Sequence, residues 1–172
     1  MPPLTLLRPV RATRHWTRPL VVGLLTVFGV VVLVRFFLVS WYPVVSDSMA
    51  PTVDRGDIVI VDKFFWRWGD LERGDVVTFT LPGNSGMLVK RVVGLPGDKI
   101  SIEDAILRVN GARVPEPYVD HSRIDALYFG PVVVPPDHAF VLGDNRFASI
   151  DSRDYGAVPV SSLTGRYLWT VG

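Results

Sequence analysis

Residues 75–81 read Asp-Val-Val-Thr-Phe-Thr-Leu, and residues 87–93 read Met-Leu-Val-Lys-Arg-Val-Val. Both stretches are short, rich in β-branched side chains, and flanked by Gly or Pro, which is typical of β-strands. Residues 57–62 and 138–142 follow the same pattern. No stretch after residue 42 shows sustained helical periodicity. The sequence therefore predicts a mainly β, antiparallel domain over residues 42–172.

Residues 99–115 predict a β-meander, the main part of a reduced second β region over about residues 99–142. One turn is expected near Glu103 and Asp104. A second is expected at Asn110-Gly111, because both residues tolerate the positive φ of a type I′ hairpin turn. Residues 115–136 contain several prolines and little pattern, so we predict a loop there.

The first forty residues differ from the rest in charge and hydropathy. They contain five arginines and no acid, whereas the remainder of the chain has a net charge of −4. An uncharged, mostly apolar run extends over residues 20–34 and resumes after Arg35. Because the run alone would span only about 22 Å of the roughly 30 Å hydrocarbon core, the predicted transmembrane helix covers residues 19–41, with Trp41 at the interface.

The charges that flank the apolar run predict its orientation. Arginines precede the run and acids follow it, so the positive-inside rule makes residues 1–18 a cytoplasmic tail and places residues 42–172 outside the plasma membrane. A cleaved secretory signal also has a basic start and an apolar middle. No small-x-small cleavage site follows this run, however, and we interpret it as an uncleaved single-pass anchor.

Composition excludes several kinds of site. The sequence has no cysteine, which excludes disulfide scaffolds, thiolate nucleophiles and Cys-ligated zinc. The acidic body argues against a nucleic-acid partner, which needs a clustered basic surface. Asp144, Asp151 and Asp154 lack the spacing of an EF-hand. We therefore expect no metal and no cofactor, and favour a loop in which these carboxylates pair with arginines and fix a hydroxyl in place.

Two short segments could carry chemistry. Ser46 and Ser48 lie in a stretch that is typical of a turn, and on its own this stretch indicates catalysis only weakly. Lys90 is one of three lysines and precedes Arg91 in a predicted strand. Because neighbours in a strand alternate faces, one of these two cations is a candidate for burial. The alternative is an edge strand with both cations exposed.

A buried lysine would have a chemical use. Burial removes solvation and lowers the pKa of an ammonium from about 10.4 toward neutrality, which frees the amine to accept a proton at pH 7. Arginine remains protonated under the same conditions, so Lys90 differs in kind from the arginines that make up most of the cations.

Taken together, these segments resemble bacterial type I signal peptidases, the membrane-bound Ser/Lys proteases that remove signal peptides from exported proteins. The resemblance covers nearly the whole chain and implies the β fold that these enzymes share with LexA-like proteins. After the anchor it consists of Ser-x-Ser-Met-x-Pro-Thr (46–52), Arg-Gly-Asp-Val-Val (73–77), Lys-Arg-Val-Val-Gly-Leu-Pro-Gly-Asp (90–98), and Gly-Asp-Asn-Arg followed by Ser-x-Asp-Ser-Arg (143–153).

The resemblance also implies roles for individual residues. Ser48 is the expected nucleophile and Lys90 its general base. The Ser46 hydroxyl and the Ser48 backbone N–H are expected to form the oxyanion hole, and Ser149 to orient the Lys90 ammonium. The other implied residues are Asp151 and Arg153, which pair to brace the site, and Val44, Val53 and Val89, which line shallow apolar pockets for small side chains.

The implied partners are preprotein signal peptides, bound as an added β-strand and cut after a small-x-small motif, and the lipid bilayer. The aromatic run at residues 64–68 predicts a second contact with lipid, with core packing as the alternative. Phe147 and Ala148 depart from the family pattern, which often has polar residues there.

Two other functions are compatible with the sequence, and a third is disfavoured. A dedicated maturation or conjugation protease of the same family would keep Ser48 and Lys90 but cut one substrate. An inactive membrane-anchored β adaptor would not need the pair. A LexA-type self-cleaving repressor is disfavoured, because the chain has an apolar anchor in place of DNA-binding helices.

Overall fold

The strand pattern of residues 42–172 produces two antiparallel sheets. A computed structural model describes residues 17–65, 70–83, 86–121 and 127–172. In chain order its elements are α1 (Thr17–Phe37), β1 (Val39–Pro43), β2 (Ile58–Asp62), β3 (Val76–Phe79), β4 (Leu88–Gly94), β5 (Lys99–Glu103), β6 (Ile106–Val109), β7 (Ala112–Arg113), β8 (Tyr128–Val133), β9 (His138–Leu142), α2 (Ser152–Tyr155), β10 (Val158–Pro159), a 3-10 helix (Val160–Ser162) and β11 (Leu163–Val171).

The larger sheet has seven strands in the order β1-β2-β11-β3-β4-β9-β10. Strand β4, which carries Lys90, pairs with β3 on one side and β9 on the other, through Val77 opposite Lys90 and Leu142 opposite Arg91. The open alternative of an exposed edge strand is therefore wrong. Lys90 is 3% exposed and the Arg91 side chain 12%, so this interior strand buries charge on both faces.

The smaller sheet has the strand order β7-β6-β5-β8. The predicted meander is confirmed, with positive φ at Asp104 in the first turn and at Asn110 and Gly111 in the second. The prediction of a loop over residues 115–136 is wrong for residues 128–133, where β8 pairs with β5, whereas residues 115–121 and 134–136 form no helix or strand. Pro131 lies in this edge strand where the register shifts, a place where a missing N–H is tolerated.

Three hydrophobic cores support the sheets. One joins the two sheets through side chains such as Phe140, Ile100 and Leu107. A second packs β3, β4 and β9 against β11, with Phe79 fully buried. The third lies under the segment that follows β1 and contains Met49 and Val53. The Ser48 turn is therefore anchored by its own buried neighbours.

Helix α1 ends earlier than the predicted membrane span. It stops at Phe37, four residues before Trp41, because Val39–Pro43 pairs as β1 with β2. Its described side chains are largely exposed, for example Leu24 at 70%. Across the part of the chain that the structure describes, no helix combines the length and the apolar character needed to cross a membrane. Residues 1–16 of the predicted tail lie outside that part.

The first two residues of the aromatic run after β2 differ in burial. Phe65 is 2% exposed, and the Arg166 guanidinium lies 3.9 Å from its ring centroid. Phe64 is half-buried. Core packing, the alternative for this run, therefore describes Phe65, whereas residues 66–69 lie outside the described residues.

Candidate active site

Ser48 and Lys90 meet in the structure, although they are 42 residues apart in sequence. The Lys90 Nζ lies 2.7 Å from the Ser48 Oγ. Ser48 is in the turn after β1, and Lys90 projects from interior strand β4. Both are buried, at 7% and 3% exposure. The pair therefore has the distance needed for proton transfer and little contact with bulk water.

The environment of Lys90 lowers the pKa of its ammonium to about 8. Burial is the main cause, and the positive charge of Arg153 acts in the same direction. The carboxylates of Asp151 and Asp144 oppose the shift. Near pH 8 about half of the Lys90 side chains are then the neutral amine that can accept a proton.

A small cavity opens beside this pair. It has a volume of about 50 Å³ and is lined by Val44, Val53 and Val89 together with Ser46, Ser48 and Lys90. The three valines thus lie together beside Ser48 and Lys90, and they contribute apolar surface to the cavity. The Ser46 Oγ is 3.3 Å from the Ser48 Oγ.

Ser149 lies close to the Ser48 backbone but does not make the expected contact with Lys90. Among the described residues its buried Oγ has no hydrogen-bond partner, Lys90 included. A Cβ added to Gly143 would overlap the Ser149 Oγ and the Ser48 carbonyl oxygen. The loop that carries Ser149 therefore packs against the Ser48 backbone at a point where only glycine fits.

Asp151 and Arg153 form a buried ion pair. The Arg153 Nε and Nη2 donate to the two Asp151 carboxylate oxygens at 2.8 and 3.0 Å. Asp151 also accepts a hydrogen bond from the Gly143 N–H and caps helix α2. The Arg153 Nη2 donates to the Arg146 carbonyl at 2.8 Å. These bonds fix the backbone of the loop on both sides of Ser149.

Comparisons with known proteins show the family of the chain. The family model described as "Signal peptidase, peptidase S26" matches residues 17–171. The chain belongs to this signal peptidase family. The predicted family is thereby confirmed, and with it the prediction that the chain is a serine endopeptidase.

Several named proteins are similar to this signal peptidase. Signal peptidase I of Bacillus caldolyticus is 38% identical over 149 residues, covering 80% of this chain and 81% of that protein. Signal peptidase I P of Bacillus subtilis subsp. natto is 40% identical over 147 residues, covering 81% and 77%. The crystal structure of a signal peptidase I from Enterococcus faecalis V583 is 30% identical with a TM-score of 0.51, covering 57% of this chain and 97% of that one. The predicted mainly β, antiparallel fold is confirmed.

Sequence reasoning missed how Asp144 connects the motifs of this signal peptidase. Its carboxylate accepts two hydrogen bonds from Arg91, at 2.8 and 2.6 Å, and one from the Thr52 hydroxyl at 2.5 Å. The serine turn, strand β4 and the 143–153 loop therefore meet at one side chain. The alternation of Lys90 and Arg91 contained the signal, because a buried arginine needs a carboxylate partner.

Asn145 is a second residue that sequence reasoning missed. Its backbone N–H donates to the Ser48 carbonyl, and its side-chain amide donates to the Asp47 carbonyl, both at 3.1 Å. The neighbouring departures from the family pattern leave this contact intact: Phe147 points to solvent at 59% exposure, and the Ala148 N–H donates to the Asn145 carbonyl.

Proposed function

We propose that this signal peptidase removes N-terminal signal peptides from exported preproteins, with Ser48 as nucleophile and Lys90 as general base. The observation that carries the proposal is the 2.7 Å contact between the Lys90 Nζ and the Ser48 Oγ. It is supported by the burial that lowers the Lys90 pKa to about 8, because only an unprotonated lysine can take the serine proton.

The proposed reaction has two steps. The neutral Lys90 amine accepts the Ser48 proton while the Oγ attacks the scissile carbonyl carbon, and the resulting ammonium protonates the leaving amine. The Ser46 hydroxyl and the Ser48 backbone N–H stabilise the oxyanion of the tetrahedral intermediate. Lys90 then removes a proton from the water that attacks the acyl-enzyme. The bond between the acyl carbon and the Ser48 Oγ then breaks, the signal peptide leaves as a carboxylate, and the Lys90 ammonium returns its proton to the Ser48 Oγ.

The proposed specificity follows from the small cavity. A preprotein segment lies as an extended strand beside the serine turn, and its alternate side chains enter the space lined by Val44, Val53 and Val89. With a volume of about 50 Å³, the cavity favours alanine-sized groups. This selects a small-x-small motif before the cleaved bond.

We also propose that the apolar run over residues 19–41, which extends beyond the end of α1, anchors the enzyme in the plasma membrane, with the N-terminus in the cytoplasm and the two sheets outside. Among the described residues α1 alone does not reach the length and apolar character of a spanning helix, so the proposal rests on the sequence of the whole run. The support is a continuous set of exposed Val, Leu and Phe side chains over residues 20–34 and the arginines that precede them. Trp41, in β1 and 57% exposed, is close enough to the end of α1 to lie at head-group depth.

The test reconstitutes the full chain in lipid vesicles with a preprotein that carries an Ala-x-Ala site. We expect wild type to cut after the second alanine, and Ser48→Ala and Lys90→Ala to lose activity by at least about 10³-fold. Lys99→Ala is the matched control, since Lys99 is an exposed lysine in the other sheet and should leave cleavage unchanged.

Three outcomes would each overturn a part of this proposal. Cleavage by both the Ser48 and the Lys90 variant would reject the mechanism. No cleavage of any preprotein by wild type would favour an adaptor. A preprotein with leucine in place of the second alanine tests the cavity, and rapid cutting of that preprotein would reject the small-side-chain specificity.

A further inference from the structure

The segment between β7 and β8 packs two side chains against the loop behind the active site. Glu116 is 5% exposed and forms an ion pair with Arg146, which is 2% exposed. Two residues along the chain, the ring of Tyr118 lies 3.9 Å below the Arg91 guanidinium carbon. The second β region thus supplies one partner to each of two arginines next to the site.

The first arginine, Arg146, lies in the 143–153 loop and is bonded to the backbone of that loop. The Arg146 Nε donates to the Gly143 carbonyl at 3.0 Å, and the Arg146 carbonyl accepts from Arg153. Gly143 is the residue that lies against both the Ser149 Oγ and the Ser48 carbonyl. A shift of the Arg146 side chain would therefore move the loop backbone at the point where it touches the nucleophile turn.

The second arginine, Arg91, is connected to the two segments that carry Ser48 and Lys90. Arg91 follows Lys90 in β4 and holds Asp144 through two hydrogen bonds. Asp144 in turn accepts from Thr52 of the serine turn. The ring of Tyr118 lies against one face of the guanidinium, which favours one orientation of Arg91 through a cation–π interaction.

We propose that Glu116 and Tyr118 are positioning residues for the peptidase reaction: they hold the 143–149 loop and Arg91 in the arrangement that aligns Ser48 with Lys90. This inference rests on the proposed function of that pair. Neither residue lines the cavity beside Ser48. Their loss should therefore lower kcat and leave KM for the preprotein nearly unchanged.

The main test is the steady-state kinetics of Glu116→Gln in the vesicle assay described above. The variant keeps the shape of the side chain and removes the charge that pairs with Arg146. We expect kcat to fall about 10- to 100-fold, because a misplacement of about 1 Å in an active site has that effect, and KM to stay within about twofold. Glu116→Asp retains the charge and should recover part of the lost kcat.

Two controls separate positioning from simple destabilisation. Glu103→Gln removes an acid from an exposed ion pair with Arg108 in the same sheet and should leave both constants unchanged. Val109→Ala removes buried volume from the core shared by the two sheets and lowers stability without touching the loop. If Val109→Ala lowers kcat as much as Glu116→Gln at equal loss of Tm, the positioning role is rejected.

Tyr118→Leu provides a second variant if Glu116→Gln does not fold. It leaves no buried charge unpaired, and it removes the ring below Arg91 together with the Tyr118 hydroxyl that donates to Glu116 at 3.5 Å. We expect a fall in kcat of about three- to tenfold with unchanged KM. Wild-type kcat in Tyr118→Leu, or in a folded Glu116→Gln, would overturn the proposal for that residue. Cleavage by Ser48→Ala in the same assay would instead reject the proposed function.

Discussion

The ion pairs of the 143–153 loop and those of the molecular surface have the same chemistry in opposite environments. In the loop, the side chains of Arg153 and Asp151 are 8% and 0% exposed. On the surface, those of Arg55 and Asp47 are 63% and 52% exposed. A buried pair has lost its hydration and depends on its partner, whereas each member of an exposed pair can return to water. The folded structure around Ser48 therefore depends on its charge pairs, whereas the surface does not depend on its own.

The largest effect is expected when one partner of a buried pair is removed. Arg153→Met leaves the Asp151 carboxylate buried without its guanidinium and should lower the free energy of unfolding by about 3–5 kcal/mol. Activity should fall with it, because the Arg153 bonds to the loop carbonyls are also lost. Urea denaturation of the reconstituted protein measures the change. A loss below 1 kcal/mol would mean that this pair behaves like a surface pair.

A steric change at Gly143 tests the same loop without altering any charge. In Gly143→Ala the new methyl group overlaps the Ser149 Oγ and the Ser48 carbonyl, so the 143–153 loop and the Ser48 turn must separate. We expect kcat to fall about 100-fold. The matched control is Gly29→Ala, where an added Cβ meets no atom within 4 Å and activity should be unchanged. Equal activity of the two variants would show that the loop contact is not needed.

The pH dependence of stability tests how strongly burial alone affects a charge. Lys90 is the case to measure, because its buried Nζ bonds the Ser48 hydroxyl rather than a carboxylate among the described residues. Its folded pKa is about 8, below the ordinary value of 10.5. Between these values the unfolded chain binds the proton and the folded chain does not. Stability at this site therefore rises with pH, by about 1.4 kcal/mol per unit from pH 8 toward 10.

Two measurements check this titration. The rise in stability should be absent in Lys90→Met, which is the difference to measure by denaturation at several pH values. The cleavage rate of wild type should also rise with pH through about 8, as the amine becomes available. A rate that is flat from pH 6 to 9 with chemistry limiting would contradict a lysine base.

The sequence predicts those parts of the fold that depend on local pattern. Strands β2, β3, β4 and β9 are short runs rich in β-branched or aromatic side chains, and all four are predictable from that composition. Strand β11 was not, although it lies between β2 and β3, because register shifts at Leu163/Gly165 and Tyr167/Trp169 break its period-two pattern. Strand β8 was hidden by Pro131, which is tolerated there because the strand lies at an edge.

For the candidate site, too, the sequence predicts burial but not the partners of the buried side chains. Alternation in β4 indicates that Lys90 or Arg91 is buried, but it does not identify the partner of either cation. The partner of Arg91 is Asp144, 53 residues away, and the partner of Arg146 is Glu116, 30 residues away. Such pairs depend on how the sheets pack, and periodicity reports which side chains are buried rather than what they meet.

The smallest effect is expected at the surface pair. Arg55→Met removes a guanidinium whose Nη2 is 3.1 Å from the Asp47 carboxylate, and both side chains are more than half exposed. The free energy of unfolding should change by less than about 1 kcal/mol, and that small change should vanish at high salt. A loss as large as that of Arg153→Met would show that exposure does not separate the two classes of ion pair. The hydrated Asp47 would then depend on its partner as strongly as the buried Asp151 does.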